Sequence, residues 1–409
     1  MTSFDHLHLR VQDKLRKVLD RLLNNSVFIN WVYRVGGPGL SARLLSWSVD
    51  PGPWHDGVPV VLCVRRALFH KDIDQLRSRA NQVNWPFIRA THLGRLQAPW
   101  MPSELRRQTA FASQSGPEHV QAWQQGVKFA NRFLAIVQER FGVAAVMSSN
   151  IDYWQDEVLR RACMARGIPF LVLSKEHQTL PYIFNKTVQY YRNLNFRFTG
   201  TGVAVFGLRT KEMLIESGVC TDDQVWVTGA PRLDPWLDQG SDPSPRDTLT
   251  LLSYADPSYG ASENFSQVLA LFADAARHNR GRGLRSVIKC KNAADRKLVS
   301  SLLGKRGMDG LEVIVDEPLF QLLPRSRLII GYNSLSMIEA LFSSAMLVVP
   351  QWGDACCEPA KQNIDPTDPN CQAVYRFADS ARSMRKLLDE AVVDGFRPSD
   401  KSLLALIIR

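Results

Sequence analysis

The sequence predicts an α/β protein with two doubly wound, Rossmann-like domains. Four features carry that expectation. From Val58 onward, short apolar runs alternate with longer stretches of helical periodicity. The runs are continuously apolar rather than alternating, as strands covered on both faces require. The series is broken once, by the Pro-, Gly- and Asp-rich segment PRLDPWLDQGSDPSPRDT. A chain of 409 residues also exceeds what one hydrophobic core usually serves. The expected division is an amphipathic helical segment at 1–40, a first domain at 55–230, a linker at 231–247, a second domain at 248–375 and helices at 376–409. Two such domains on one linker predict a central cleft, with ligands beyond the carboxyl ends of the strands.

The elements follow in order. Val11, Leu15, Val18, Leu19 and Leu22 recur at helical spacing among Lys and Arg. With Phe28, Trp31 and Tyr33 just beyond, this segment suits either docking on the core or another copy, or an interfacial helix on an anionic leaflet. The cluster Gly36, Gly37, Pro38, Gly39 is expected to end it. VPVVLCV reads as a strand, and VNWPFIRA as another that Pro86 confines to an edge or a late start. A mostly polar stretch from Ser103 to Gln125 leads into a helix containing Val127, Phe129, Phe133, Leu134, Ile136 and Val137. Val143–Ser149, Asp156–Gly167 and Ile168–Ser174 then form a strand, helix, strand unit, continued by GVAVFG, TKEMLIESG and QVWVTG. After the linker come TLLSYA, a helix from Phe265 to Asn279, SVIKC, a helix from Ala293 to Gly304, LEVIVD, the short helix PLFQLLPRS, LIIGYN, the helix SMIEALFSS and MLVVPQ. ARSMRKLLDEAV and KSLLALIIR close the chain as helices.

Fifty Lys and Arg against forty Asp and Glu give a formal charge of +10, compatible with phosphate-bearing substrates or an anionic membrane face. Zinc-finger spacing, long basic runs and the basic and aromatic interleaving of RNA-binding sheets are missing from the sequence, so nucleic acid is not an expected partner. The seven cysteines, at 63, 163, 220, 290, 356, 357 and 371, lack metal-site spacing and read as reduced thiols. Charges between Met1 and Arg21 exclude a secretory signal. No run of about 20 residues is apolar enough to span a bilayer. The expected location is the cytoplasm, or the cytoplasmic face of the inner membrane.

Four loops carry candidate chemistry. In LIIGYNSLSMIEALF, Asn333, Ser334 and Ser336 lie between a strand and a helix bearing Glu339, where backbone N–H groups and hydroxyls can hold a phosphate. Equally, Ser334 reads as an ordinary N-cap. In IKCKN, Lys289 and Lys291 point the same way by strand alternation, with Cys290 toward the core and Asn292 following; they read as phosphate-binding cations or as a solvated strand end. Asp256 in SYADPSYG is a carboxylate aimed into the cleft or a turn former before Pro257. In SKEHQTLP, Lys175 precedes Glu176 and His177, either of which can take a proton from an acceptor hydroxyl. Arg65, Arg66, His70, Lys71, Asp72, Asn150, Asp152 and Tyr153 follow other strands and read as acceptor contacts. No GxGxxG, Walker-type loop or convincing DxD pair occurs, so neither a dinucleotide cofactor nor a metal is expected.

The order of these loops resembles bacterial surface-polysaccharide glycosyltransferases of GT-B fold, especially the Kdo and sialic acid transferases, with the CDP-glycerol glycerophosphotransferases as neighbours. VTGAPRLDPW, with Gly229, Pro231, Arg232 and Asp234, is similar to the interdomain G-x-P-R-x-D segment. IKCKN matches the place of a K-P-H-P-type phosphate loop, with Cys290 and Lys291 where the family has Pro and His. GYNSLSMIEALF matches the donor site's strand, hydroxyls and helix Glu. The resemblance spans residues 140 to 350. It implies an acceptor-binding first domain and a nucleotide-donor-binding second domain, with no permanently bound cofactor. A CMP-linked keto sugar is the first expectation for the donor, with UDP- or CDP-linked donors as alternatives.

It further implies Asp256 as the donor-side catalytic carboxylate and Glu176 as acid/base. Lys289, Lys291, Ser334 and Ser336 would hold the phosphate of a metal-independent reaction, with Asn292, Asn333, Glu339 and Arg232 as further donor-binding residues. Tyr153, Trp154, Tyr182 and Phe184 suit a saccharide or glycolipid acceptor, or are ordinary core. A glycerophosphotransferase, a nucleotide-sugar epimerase and a noncatalytic partner of polysaccharide assembly or export are the alternatives.

Overall fold

The computed structural model describes residues 17–66, 69–79, 81–107, 117–174, 181–235, 246–356 and 364–393. The chain divides into two compact units, Met1–Thr179 with Asn185–Arg232, and Leu180–Phe184 with Leu233–Arg409.

The first unit is built on a six-stranded, all-parallel sheet: β1 (Val60–Arg65), β2 (Phe87–Arg89), β3 (Val143–Ser148), β4 (Phe170–Leu173), β5 (Gly202–Val205) and β6 (Val225–Val227), in the order β2-β1-β3-β4-β5-β6. Pro86 stands just before β2, which begins late and occupies an edge, where a residue without an N–H is tolerated. The sheet's direction of growth reverses between β1 and β3. With it belong α1 (Ser26–Trp47), α2 (His70–Arg79), α3 (Ala90–Gln97), α4 (Pro117–Phe141), α5 (Trp154–Ala165), α6 (Pro181–Asn193) from Asn185 onward, and α7 (Leu208–Glu216). The helix expected after Gln125 begins eight residues earlier than that, at Pro117. Gly167, at φ 67°, takes the left-handed turn that ends α5 and leads into β4.

The glycine cluster ends the first helical stretch as expected: Gly37 takes φ 56°, ψ −152°, outside helical geometry, and a second stretch starts at Pro38 and runs to Trp47, the two meeting at a kink within α1. Proline's fixed φ suits the first turn of the resumed helix, where its missing N–H costs nothing. Residues 1–16, and with them Val11 and Leu15, lie outside the described residues.

The second unit's sheet is also parallel: β7 (Thr248–Leu252), β8 (Arg285–Lys289), β9 (Leu311–Ile314), β10 (Ser326–Ile330), β11 (Met346–Pro350) and β12 (Tyr375–Ala378), in the order β12-β11-β10-β7-β8-β9. Renumbered from its own first strand this is 3-2-1-4-5-6, the dinucleotide-fold order. The strand β12, unmarked in the sequence reading, completes it. Its helices include α8 (Ser262–Asn279), α9 (Ala293–Gly307), α10 (Leu335–Glu339) and α11 (Ala381–Val392). Every residue of β7 and β11 is buried.

Strand alternation sorts the core onto two faces. Leu328, Ile330 and Val348 pack with Phe265, Phe272, Met384 and Leu388 on one side, while Ile329, Leu347 and Val349 pack with Leu323, Met337 and Leu341 on the other. The segment KSLLALIIR lies outside the described residues. Among the described residues, no helix is long and apolar enough to cross a membrane.

Candidate functional site

In the second unit, β7 and β10 are neighbours whose connections leave in opposite directions, which opens a crevice at their carboxyl ends. Tyr254 follows β7 and Tyr332 follows β10. Their rings stack with centroids 4.6 Å apart and planes at 13°, joining the two loops across the crevice. The Tyr332 hydroxyl donates to Oδ1 of Asn264 at 2.8 Å, and Nδ2 of Asn264 donates to the Trp352 carbonyl at 2.8 Å. Asp354 accepts from the first amides of α8, Glu263 N at 2.9 Å and Asn264 N at 2.8 Å. Burial, reinforced by the Asp354 charge, pushes the Tyr332 phenol up, so it stays a neutral donor.

A second anchor joins β7 to the loop after β8. Asp295 is buried and accepts from the Ser253 hydroxyl at 2.9 Å and the Lys291 amide at 2.8 Å. Asn292 caps α9 by accepting from the Asp295 amide at 2.9 Å. The backbone of Lys291 is thereby fixed while its side chain is exposed. Lys289 is placed differently: it is half-buried, and its ammonium donates to the carbonyls of Cys290, at 3.3 Å, and Val315. Cys290 faces the core, and burial pushes its thiol up to about 11.

Asp256 is exposed and caps the turn Pro257–Tyr259, accepting from Ser258 N at 2.9 Å, with Gly260 at φ 78° closing the turn. The Ser258 backbone N–H, then its hydroxyl, and to a smaller extent the Lys291 charge hold this carboxyl below its usual range. At neutral pH Asp256 is therefore an anion, suited to act as a nucleophile or to offset positive charge, not to donate a proton.

The loop after β10 is tightly packed: a Cβ on Gly331 would lie 2.6 Å from Sδ of Met337 and 3.2 Å from Cδ1 of Leu252. Oδ1 of Asn333 accepts from the Ile364 amide at 3.3 Å. Ser334 is the N-cap residue of α10 but makes no side-chain cap bond. Ser334, Ser336 and Glu339 are half-buried. The helix expected from Ser336 to Ser344 is shorter, five residues passing into a tight turn at Ala340–Phe342.

The first unit has its own crevice where β1 and β3 diverge. Arg66, just past β1, pairs with Asp156 at 2.6 Å and lies over the Tyr153 ring at 4.6 Å, while Ser148 donates to the other oxygen of Asp156. Asp152 is nearly buried and accepts from the Tyr191 hydroxyl at 3.1 Å. Burial pushes the Asp152 carboxyl up, against the pull of Tyr191. Arg65 pairs with Asp74 at 3.1 Å, and Lys71 is exposed. Trp154 is buried core.

Arg232 is engaged within this unit. Its Nε donates to Oδ1 of fully buried Asp72 at 2.9 Å, its backbone N–H donates to the same oxygen at 3.1 Å, and its guanidinium lies over Phe206. Burial pushes the Asp72 carboxyl up, and Arg232 opposes that shift. Asp72 is thus a buried anchor for Arg232. Glu176 and His177 lie outside the described residues.

Sequence reasoning placed Asp256, Lys291 and Asn292 in adjoining loops but missed Tyr254, Asn264, Asp295, Tyr332 and Asp354. The Asn-x-x-Asp spacing at 292–295 marks a helix start, yet nothing in it signals that Asp295 is buried and hydrogen-bonded to Ser253 after β7. Among the described residues, no group of three or more His, Cys, Asp or Glu could hold a metal ion.

No protein-family model and no curated protein sequence matches the chain. Among solved structures it is similar to UDP-GlcNAc 2-epimerase from Methanocaldococcus jannaschii, at 10% identity and TM-score 0.46, over 86% of this chain and 98% of that one. UDP-GlcNAc 2-epimerase from Neisseria meningitidis, bound to UDP-GlcNAc, matches at 14% identity and TM-score 0.46, over 86% and 99%. A UDP-forming α,α-trehalose-phosphate synthase from Burkholderia xenovorans matches at 10% identity and TM-score 0.45, over 86% and 95%.

Proposed function

We propose that this chain is a nucleotide-sugar-dependent glycosyltransferase of GT-B type that builds a bacterial surface carbohydrate. The second unit would take the donor, a CMP-linked keto sugar such as Kdo before a UDP- or CDP-linked one. The first unit would take a saccharide or glycolipid acceptor. One observation carries the reading: a dinucleotide-fold strand order in the second unit, with Asp256 and Lys291 in adjoining loops beside its crevice and the Asn333 to Ser336 turn across from them.

In this reaction the acceptor oxygen attacks the anomeric carbon as the bond to the phosphate oxygen breaks. The phosphate leaves with the electron pair, and its charge is met by Lys291 and by hydroxyls and amides around Ser334 and Ser336. Glu176 or His177 takes the acceptor's proton. Asp256, held ionised, lies on the donor side and in this direct displacement stabilises positive charge at the sugar carbon; in the two-step alternative its carboxylate attacks that carbon and expels the phosphate, and the acceptor oxygen then displaces the carboxylate. Lys289 and Asn292 support the Lys291 loop, Glu339 faces the donor from α10, and Arg232 holds the end of the first unit in place.

The test is to incubate the purified chain with CMP-, UDP- and GDP-sugars and CDP-glycerol, each with a lipid-extract acceptor, and to follow nucleotide release and product. Sugar transfer that is lost in Asp256→Ala and Glu176→Ala, with folding retained, is the expected result. Polyol phosphate transfer from CDP-glycerol would give the glycerophosphotransferase reading, and an epimerised sugar without acceptor would give the epimerase. Full complementation of surface polysaccharide by both variants would leave only the noncatalytic role in assembly or export.

A further inference from the structure

α1 has two apolar faces, and the first unit uses only one of them. Ile29, Val32, Leu44 and Leu45 are buried, and Tyr33 packs its ring against Trp100 at 5.3 Å. Val27, Trp31 and Val35 recur every four residues, so they share the other face. They are 75%, 55% and 63% exposed. The Trp31 ring stacks on Phe28, centroids 6.0 Å apart, and so is held in place on the helix surface. In the helical residues 17–23 just before, Val18 and Leu22, one turn apart, are exposed as well. Large apolar side chains left in water at this spacing mark an interaction surface.

The charges of the same segment say what it fits. Between residues 17 and 47 the chain carries Lys17, Arg21, Arg34 and Arg43 against a single acid, Asp20. Asp20 is paired with Arg89 at 3.0 Å. All four cations are exposed. Apolar side chains with a tryptophan, flanked by cations and free of exposed acids, complement a bilayer with anionic headgroups: the indole and valines enter the headgroup and acyl boundary while the cations meet the lipid phosphates. A second copy of this chain would set the same cations against each other.

We propose that α1 docks the protein on an anionic membrane through Val27, Trp31 and Val35, with Arg21 and Arg34 contributing the charge. This surface is independent of the reaction proposed above, and its test needs no substrate.

The full chain is mixed with vesicles of phosphatidylcholine alone or with about a third phosphatidylglycerol, and the bound fraction is read by sedimentation. Binding at least about tenfold tighter to the anionic vesicles, weakened by salt, is expected. Val27→Ser/Trp31→Ser/Val35→Ser should lose about tenfold or more of that binding, with its thermal midpoint kept because these side chains are exposed. Arg21→Glu/Arg34→Glu, which leaves the apolar face intact, should lose binding to anionic vesicles only. Equal binding by either variant and the wild type overturns the proposal, as does absence of vesicle binding. A wild-type dimer that the triple substitution turns into monomer, with no binding to vesicles, assigns the face to a second copy instead.

Discussion

The rings of Tyr254 and Tyr332 lie 4.6 Å apart and nearly parallel, tying the chain that leaves β7 to the chain that leaves β10. On the Tyr332 side the stack is held by a hydrogen bond from its hydroxyl to buried Asn264. Tyr332→Phe keeps the ring but leaves Oδ1 of Asn264 without that donor, at a cost of about 1–3 kcal/mol. Tyr332→Ala also opens a cavity, at about 3–5 kcal/mol. Urea unfolding measures both, and a Phe variant as stable as the wild type would show that the hydroxyl does not hold the loop.

Lys291 and Asp295 separate a contact from its support. Lys291 is exposed, so Lys291→Met should change unfolding by no more than about 0.5 kcal/mol, while the proposed function has CMP affinity fall roughly tenfold through loss of a charge-assisted contact. Asp295→Ala strips the Ser253 hydroxyl and the Lys291 amide of their shared acceptor, costing about 1–3 kcal/mol. Removing an acid near a phosphate site ordinarily strengthens anion binding; here CMP binding should weaken, because the Lys291 loop loses its anchor. Calorimetric titration with CMP gives the sign directly.

Arg232 and Asp72 form an ion pair with the carboxylate fully out of water. Arg232→Met leaves that charge without its partner, and stability should fall by about 3–5 kcal/mol. Asp72→Asn/Arg232→Met, which removes both charges, should recover most of the loss. Denaturant unfolding of the three proteins completes the cycle, and a double variant no more stable than Arg232→Met would mean that Arg232 acts through its packing on Phe206.

Much of the fold is legible because parallel strands covered on both faces must be continuous apolar runs, and runs such as LIIGYN and MLVVPQ can hardly be anything else. Where the run is short or mixed the signal fails: YRFA gives β12 only because β11 offers it a parallel edge, a fact of tertiary pairing. Gly37 and Pro38 read as a stop because both disfavour helix interiors. They do interrupt the helix, since Gly37 leaves helical geometry; what the sequence does not announce is that a second helical stretch starts at once, because Pro38 needs no N–H at a helix start. At the candidate site, Asp256 and Lys291 are visible as charges after strands. Asn264 and Asp295 are not, because what matters about them is what they accept from: a tyrosine 68 residues away and a serine 42 residues away.

Asp152 links burial to pH at the β1 and β3 crevice. Burial raises its carboxyl pKa in the folded chain, so over the interval between the ordinary carboxylate value and the raised one the folded protein holds a proton that the unfolded chain has released. Its contribution to stability is therefore full below the ordinary value and is lost as pH rises through the folded one. Asp152→Asn removes that loss while leaving an oxygen to accept from Tyr191. The variant should gain stability relative to the wild type as pH climbs across this interval, and keep a constant lead above it. Tyr191→Phe should widen the interval, since Tyr191 is the foremost of the groups that favour the charged form, ahead of the Asp152 backbone N–H and Asn150. Thermal midpoints of the three proteins from acidic to neutral pH decide the matter: a lead for Asp152→Asn that shrinks as pH rises would mean that the Tyr191 hydrogen bond outweighs burial, and Asp152 would then be a fixed anion instead of a group able to hold a proton.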